Sequence, residues 1–161
     1  MQTSRLLRSM LFTPANNVRR VEKALTLGAD GVILDLEDAV AAAEKPAART
    51  HLREALGKPR TCQLYARINA LTTEWCYRDL VDVVRPGLDG LLVPKVEGAA
   101  DVKTVDWLLG ALEQEQGIER GTVDIIPIIE TARGLGAIGA ICGAGGRLRR
   151  VVFGAAAFTL D

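Results

Sequence analysis

Acids, one lysine and one arginine close several of the chain's apolar runs. GVILDLEDAV ends on Asp35, Glu37 and Asp38, LYARIN on Arg67 and Asn69, LLVPKVE on Lys95 and Glu97, and IIPIIET on Glu130. A carboxylate delivered by an apolar strand, as Glu130 is, suits a hard cation such as Mg²⁺, which takes oxygen ligands and keeps several waters. The competing role for Glu130 is an ion pair with Arg133 in the following turn. In the DLED run, strand alternation sets Asp35 and Glu37 on one face and Asp38 on the other. Acids there can hold metal-bound waters. The structural alternative has Asp38 capping the next turn and Asp35 pairing with a lysine or arginine of a neighbouring strand. Arg67 ends an apolar strand, where an unpaired cation is costly. Its planar fork matches a carboxylate of a small substrate, or it forms an ion pair with Glu37 or Glu130. Lys95, after Pro94, admits the same two roles.

The elements that carry these residues alternate along the chain. LLRSMLFTP, DGVILDLEDAV, CQLYARIN, LDGLLVPKVE, TVDIIPIIET and RLRRVVFGAA read as strands. Between them NNVRRVEKALTLG, EKPAARTHLREALG, TTEWCYRDLVDVV, AADVKTVDWLLGALEQEQG and ARGLGAIGAICG read as helices, with Gly28 as the stop of the first. Strands that are apolar on both faces and separated by helices imply a parallel sheet covered by helices. Polar groups at nearly every strand end favour a closed TIM-type (β/α)8 barrel over an open sheet, which gathers its site at one switch point. A full barrel has eight units and typically about 250 residues, and the 161 residues here show about six. The expected domain is therefore one partial barrel over residues 1–161.

Composition narrows the function classes. Hydrophobic content of 48% and charged content of 25% fit a globular domain with a real core. Twenty basic residues balance twenty acidic ones, so no global field favours nucleic acid or a membrane surface. The apolar runs are strand-sized, and the start of the chain reads as a strand rather than a signal peptide. Cys62, Cys76 and Cys142 are widely spaced without a CxxC pair, which points to a reducing cytoplasm. His51, the sole histidine, lies among charges in AARTHLREAL and is expected on an exposed helix face, so a histidine-based triad or a zinc site does not follow. The glycines from Gly143 to Gly146 precede a strand, whereas a dinucleotide fingerprint follows one, so they read as a loop. Trp75 and Trp107 are expected as helix packing residues.

In order along the chain, LLRSMLFTPANNVRRVEKALTLGADGVILDLEDAV, EKPAAR, ARIN, LDGLLVPKVE, IIPIIETARGL and VVFGAAAFTLD resemble the citrate lyase β-subunit-like proteins of the wider HpcH/HpaI aldolase superfamily. The resemblance implies a TIM barrel, a homotrimer or an oligomer of trimers, and Mg²⁺ at the barrel mouth. It implies carbon–carbon bond cleavage or formation in 3-hydroxy acyl thioesters of the citryl, malyl or citramalyl type, on coenzyme A or an acyl carrier protein. A 2-keto acid such as oxaloacetate is then released or used. By the same resemblance Glu130 ligates the metal, Arg67 binds the substrate carboxylate, Glu37 and Asp38 sit near the metal's waters, and backbone N–H groups near Ala156 and Ala157 help hold the keto acid.

Two departures from that pattern matter. The family's second metal ligand is an aspartate in F-G-x-x-D-F, and Ala157 stands at that position in FGAAAF. Loss of that carboxylate should weaken Mg²⁺ binding, because such sites have few protein ligands to spare; Asp161 is near in sequence, but the pattern does not make it a substitute. Family chains also continue through two more βα units, and a barrel open by two strands leaves unpaired edges. A Mg²⁺-dependent lyase is the leading expectation. Its alternative is a catalytically impaired relative that binds a keto acid, an acyl thioester or a protein partner. Aldolases that join pyruvate to an aldehyde are a third reading, disfavoured by the placement of His51.

Overall fold

The computed structural model describes residues 6–159, so Asp161 lies outside the described residues. Six parallel strands form one sheet in sequence order: β1 (Met10–Pro14), β2 (Gly31–Asp35), β3 (Gln63–Arg67), β4 (Gly90–Val93), β5 (Asp124–Ile129) and β6 (Val152–Phe153). This is the strand order of a β/α barrel, with β1 and β6 at the edges of the curled sheet.

Alternation along each strand gives the sheet two unlike faces. Ile33, Tyr65, Leu92, Ile126 and Ile128 converge with Met10 and Val152 into a small cluster on the concave side. The intervening positions, among them Val32, Leu34, Leu64, Ala66, Leu91, Val93 and Ile125, join the main core under the helices. Glycine makes room on the concave side. A Cβ on Gly90 would lie 2.8 Å from the Tyr65 ring and 2.9 Å from the Asp124 carbonyl oxygen.

The covering helices are α1 (Val18–Ala24), α2 (Lys45–Leu56), α3 (Cys76–Val83) and α4 (Ala99–Glu115), followed by the short α5 (Ala132–Gly136), α6 (Ile138–Cys142) and α7 (Ala155–Phe158). Their ends have local causes. Asn17 caps α1 by accepting the Arg20 amide at 3.0 Å, Pro46 sits in the first turn of α2, and Gly28 takes φ +75° beyond α1. The segment expected as one helix over 132–143 is instead two short ones meeting at Ala137. Its glycines, at 134, 136, 139 and 143, lower helix propensity. The third helix starts at Cys76 rather than Thr72. The sixth strand is limited to Val152–Phe153, with Leu148 making only an isolated bridge to Ile125. Among the described residues no helix is long and apolar enough to cross a membrane.

Candidate functional site

The C-terminal strand ends bring the expected residues together. Arg67 is the register partner of Asp35 across β2 and β3. Its Nε donates to Asp35 Oδ1 at 2.7 Å and its Nη2 to Asp35 Oδ2 at 2.6 Å, a side-on fork. Nη1 donates to Asp38 at 3.3 Å and lies 2.9 Å from Glu37 Oε2. The guanidinium also sits 5.3 Å from the centre of the Phe12 ring, within cation–π range. Of the two ion-pair partners expected for Arg67, Glu37 is in contact, but Asp35 is the principal one. Asp35 also accepts the Glu37 and Ala39 amides, at 2.9 and 3.2 Å. The turn-capping role expected of Asp38 therefore belongs to Asp35, and the Asp38 side chain is largely exposed.

Glu37 and Glu130 are both buried. Burial pushes the Glu37 carboxyl above the ordinary carboxylate range, against the pull of Arg67. Its Oε1 lies 3.4 Å from Lys95 Nζ, and its Oε2 is buried with no hydrogen-bond partner in spite of the nearby guanidinium. Burial also pushes the Glu130 carboxyl up, opposed by the Lys95 amide, which donates to Glu130 Oε1 at 2.9 Å. Gly154, next to β6, allows that arrangement, since a Cβ there would lie 2.8 Å from both Glu130 Cβ and Oε2. The expected alternative partner of Glu130, Arg133, pairs instead with Glu97 at 3.4 Å. Lys95 is the one non-glycine residue with positive φ, +52°, among the described residues.

Beneath these groups lies a polar network that the sequence reading missed. Lys45 and Arg49, one turn apart on α2, point into the core. Lys45 Nζ donates to the carbonyls of Leu36 and Glu37 at 2.7 and 3.0 Å and to Asn69 Oδ1 at 2.7 Å. It also lies 4.9 Å from the centre of the Trp75 ring, and burial pulls its ammonium below the usual lysine range. Asp79 on α3 accepts Arg49 Nε at 2.7 Å, the Asn69 amide at 2.8 Å and Asn69 Nδ2 at 2.7 Å. The loops after β2 and β3 are thus bolted together through buried, fully partnered charges. A sequence signal existed in the EKPAAR run, where basic residues four apart share one helix face.

Two cavities flank the carboxylates. One of about 330 Å³ is lined by Phe12, Thr13, Pro14, Asp35, Ala39 and Arg67. The other, of about 300 Å³, lies between the loops after β3, β4 and β5, with Thr72, Lys95, Glu97 and Thr131 on its wall. The amides of Ala156 and Ala157 fall in the first turn of α7, where helix N–H groups have no intrahelical acceptor; the first intrahelical bond there is that of Phe158 to Gly154. Ala157 adds no oxygen ligand. Among the described residues no group of three or more His, Cys, Asp or Glu side chains gathers to hold a metal. What is present is Glu130 together with Glu37, whose Oε2 makes no hydrogen bond and has only the ion-pair contact to Arg67. That donor set fits a hard cation that takes one or two carboxylates and keeps its waters. His51 is half-buried rather than exposed, with Nδ1 3.2 Å from the Ala15 carbonyl, and among the described residues no acid pairs with it. Trp107 is 70% exposed rather than packed.

The HpcH/HpaI aldolase/citrate lyase family model matches residues 8–161. The citrate lyase subunit beta of Leuconostoc mesenteroides subsp. cremoris is 37% identical over 163 aligned residues, covering 100% of this chain and 54% of that protein. The L-malyl-CoA/beta-methylmalyl-CoA lyase of Rhodobacter capsulatus is 38% identical, over 96% of this chain and 50% of its own length. Among solved structures, the citrate lyase beta subunit of M. tuberculosis complexed with oxaloacetate and magnesium superposes with a TM-score of 0.74. It is 36% identical, and the match covers 94% of this chain and 59% of that one. The chain spans about half the length of the curated relatives it matches.

Proposed function

The chain belongs to the HpcH/HpaI aldolase/citrate lyase family, and from that premise we propose that it carries the mouth of a Mg²⁺-dependent lyase for 3-hydroxy acyl thioesters. The supporting observation is Arg67, held by Asp35 in a side-on fork beside the two buried acids Glu37 and Glu130. With Nη1 turned to Asp38 and Glu37, the fork leaves the second N–H of Nη2 for a substrate carboxylate. The 330 Å³ cavity that Arg67 and Asp35 line is sized for a small keto or hydroxy acid.

In the reaction, the hydroxyl of the substrate loses its proton, the bond between the hydroxyl-bearing carbon and the thioester α-carbon breaks, and a keto acid and a thioester enolate separate. The enolate then takes up a proton. Arg67 anchors the carboxylate of the keto-acid half and fixes its orientation. Glu130 would be the cation's protein ligand, and Glu37 and Asp38 would accept hydrogen bonds from its waters. Mg²⁺, when bound, supplies polarisation of the forming carbonyl. The amides of Ala156 and Ala157 donate to the keto-acid end. Coenzyme A thioesters are the proposed carriers, in keeping with the malyl-CoA lyase relative, and the proposed assembly is a homotrimer, read by sedimentation velocity.

The test is an assay of malyl-, citramalyl- and citryl-CoA cleavage with Mg²⁺, following keto acid and acyl-CoA release. Cleavage of one of them, lost by roughly 10²-fold or more in Arg67→Ala, supports the reading. Absence of cleavage of all three overturns the lyase. If that inactive chain still bound oxaloacetate, the site would be a carboxylate-binding remnant disabled at Ala157.

A further inference from the structure

Lys95 holds both mouth acids from a single residue. Its backbone is left-handed, φ +52°, a conformation that non-glycine residues seldom adopt. That conformation presents the Lys95 amide to Glu130 at 2.9 Å while the ammonium reaches Glu37 at 3.4 Å. The two contacts differ in kind. The amide bond to Glu130 is short and fixed by the main chain. The ammonium contact is longer than the roughly 2.7–2.9 Å of a tight charge-assisted bond, and the Lys95 side chain is 50% exposed. Lys45, by contrast, is buried and held at three acceptors. Lys95 also borders the 300 Å³ cavity, so its flexible stem has room to swing. Arg67 also reaches Glu37, with Nη1 2.9 Å from Oε2, but its fork on Asp35 holds it in place, which leaves Lys95 as the mobile positive charge between Glu37 and Glu130.

We propose that Lys95 is a resident counter-cation of the Glu37–Glu130 pair. It steadies the acids while no metal is bound, and its ammonium withdraws toward the 300 Å³ cavity when a divalent cation takes the acids. The inference rests on the reading of this mouth as a Mg²⁺ site. It makes Lys95 a positioning residue whose charge opposes metal entry, so the site's affinity is set by competition as well as by ligand number.

The test is a calorimetric titration with Mg²⁺ alone, at neutral pH and low ionic strength, of the protein and of Lys95→Gly, Lys95→Asn and Lys95→Arg. Glycine and asparagine keep the amide that holds Glu130 and accept positive φ readily, so the fold is preserved while the charge is lost. Both should bind Mg²⁺ about tenfold more tightly, the scale of a unit charge a few ångströms from a divalent ion in a solvated mouth. The gap should narrow as salt is added, and Lys95→Arg should bind like the parent. If the parent binds Mg²⁺ and the neutral variants bind equally or more weakly, this inference fails and the metal-site reading survives. If neither parent nor variants bind, the metal-site reading falls and takes this one with it.

Discussion

Glu130 is buried at the mouth with its carboxyl pushed above the ordinary 4.5 by desolvation. The native state therefore holds that proton more tightly than the unfolded chain. The stability this gives is complete below about pH 4.5 and is lost as pH rises through the higher folded value. At neutral pH an ionised Glu130 is a net cost to the metal-free fold. Glu130→Gln keeps an acceptor for the Lys95 amide, so its thermal midpoint at neutral pH should exceed the parent's by on the order of 2 °C. The difference should vanish below the carboxylate range; equal midpoints at neutral pH would refute this assignment. Ala157 offers the complementary test. Ala157→Asp restores the acid of the family pattern, and calorimetry should show Mg²⁺ affinity rising by at least about tenfold, the lower end of what even outer-shell metal partners contribute. Gly154→Ala should do the opposite, because its methyl would collide with Glu130 Cβ and Oε2.

At the scale of elements, α2 and α3 act as clamps on the loops after β2 and β3. Asp79 is fully buried and serves Arg49 and Asn69 together. Removing it in Asp79→Ala strands a buried guanidinium, at a cost of about 3–5 kcal/mol in urea unfolding. Lys45→Met should loosen the loop more selectively, and amide exchange at residues 36–38 should speed up before global stability is lost. These clamps explain what was legible in the sequence and what was not. The apolar runs and the acids ending them announced the barrel mouth, because strand alternation follows from local pattern. Lys45, Arg49 and Asp79 were hidden because a charge in an amphipathic helix looks solvated until the neighbouring loop that buries it is known. The same limit applied to Asp35 and Asp38, where a backbone turn, absent from the spacing, decided which acid caps. The break at Ala137 and the short β6 reflect glycine content and sparse pairing, which blur periodicity.

At the scale of the whole molecule, the concave interior is built in layers, and glycine sets their spacing. Gly90→Ala would press on Tyr65 and on the Asp124 backbone, and overpacking of this kind costs about 1–3 kcal/mol, measurable by urea denaturation. A midpoint unchanged from the parent would show that the interior has slack. The pairing of Asp35 with Arg67 has a consequence of its own for how the chain finds its fold. The two residues are partners in the parallel ladder as well as in the ion pair. A slip of β3 by one residue would swing Arg67 to the helix side of the sheet. A slip by two would keep its face but set Tyr65 or Asn69 opposite Asp35, leaving a guanidinium without its carboxylate in a poorly solvated place. The pair proposed to ready the mouth for a carboxylate thus also penalises misaligned strands, so one ion pair serves both binding and register.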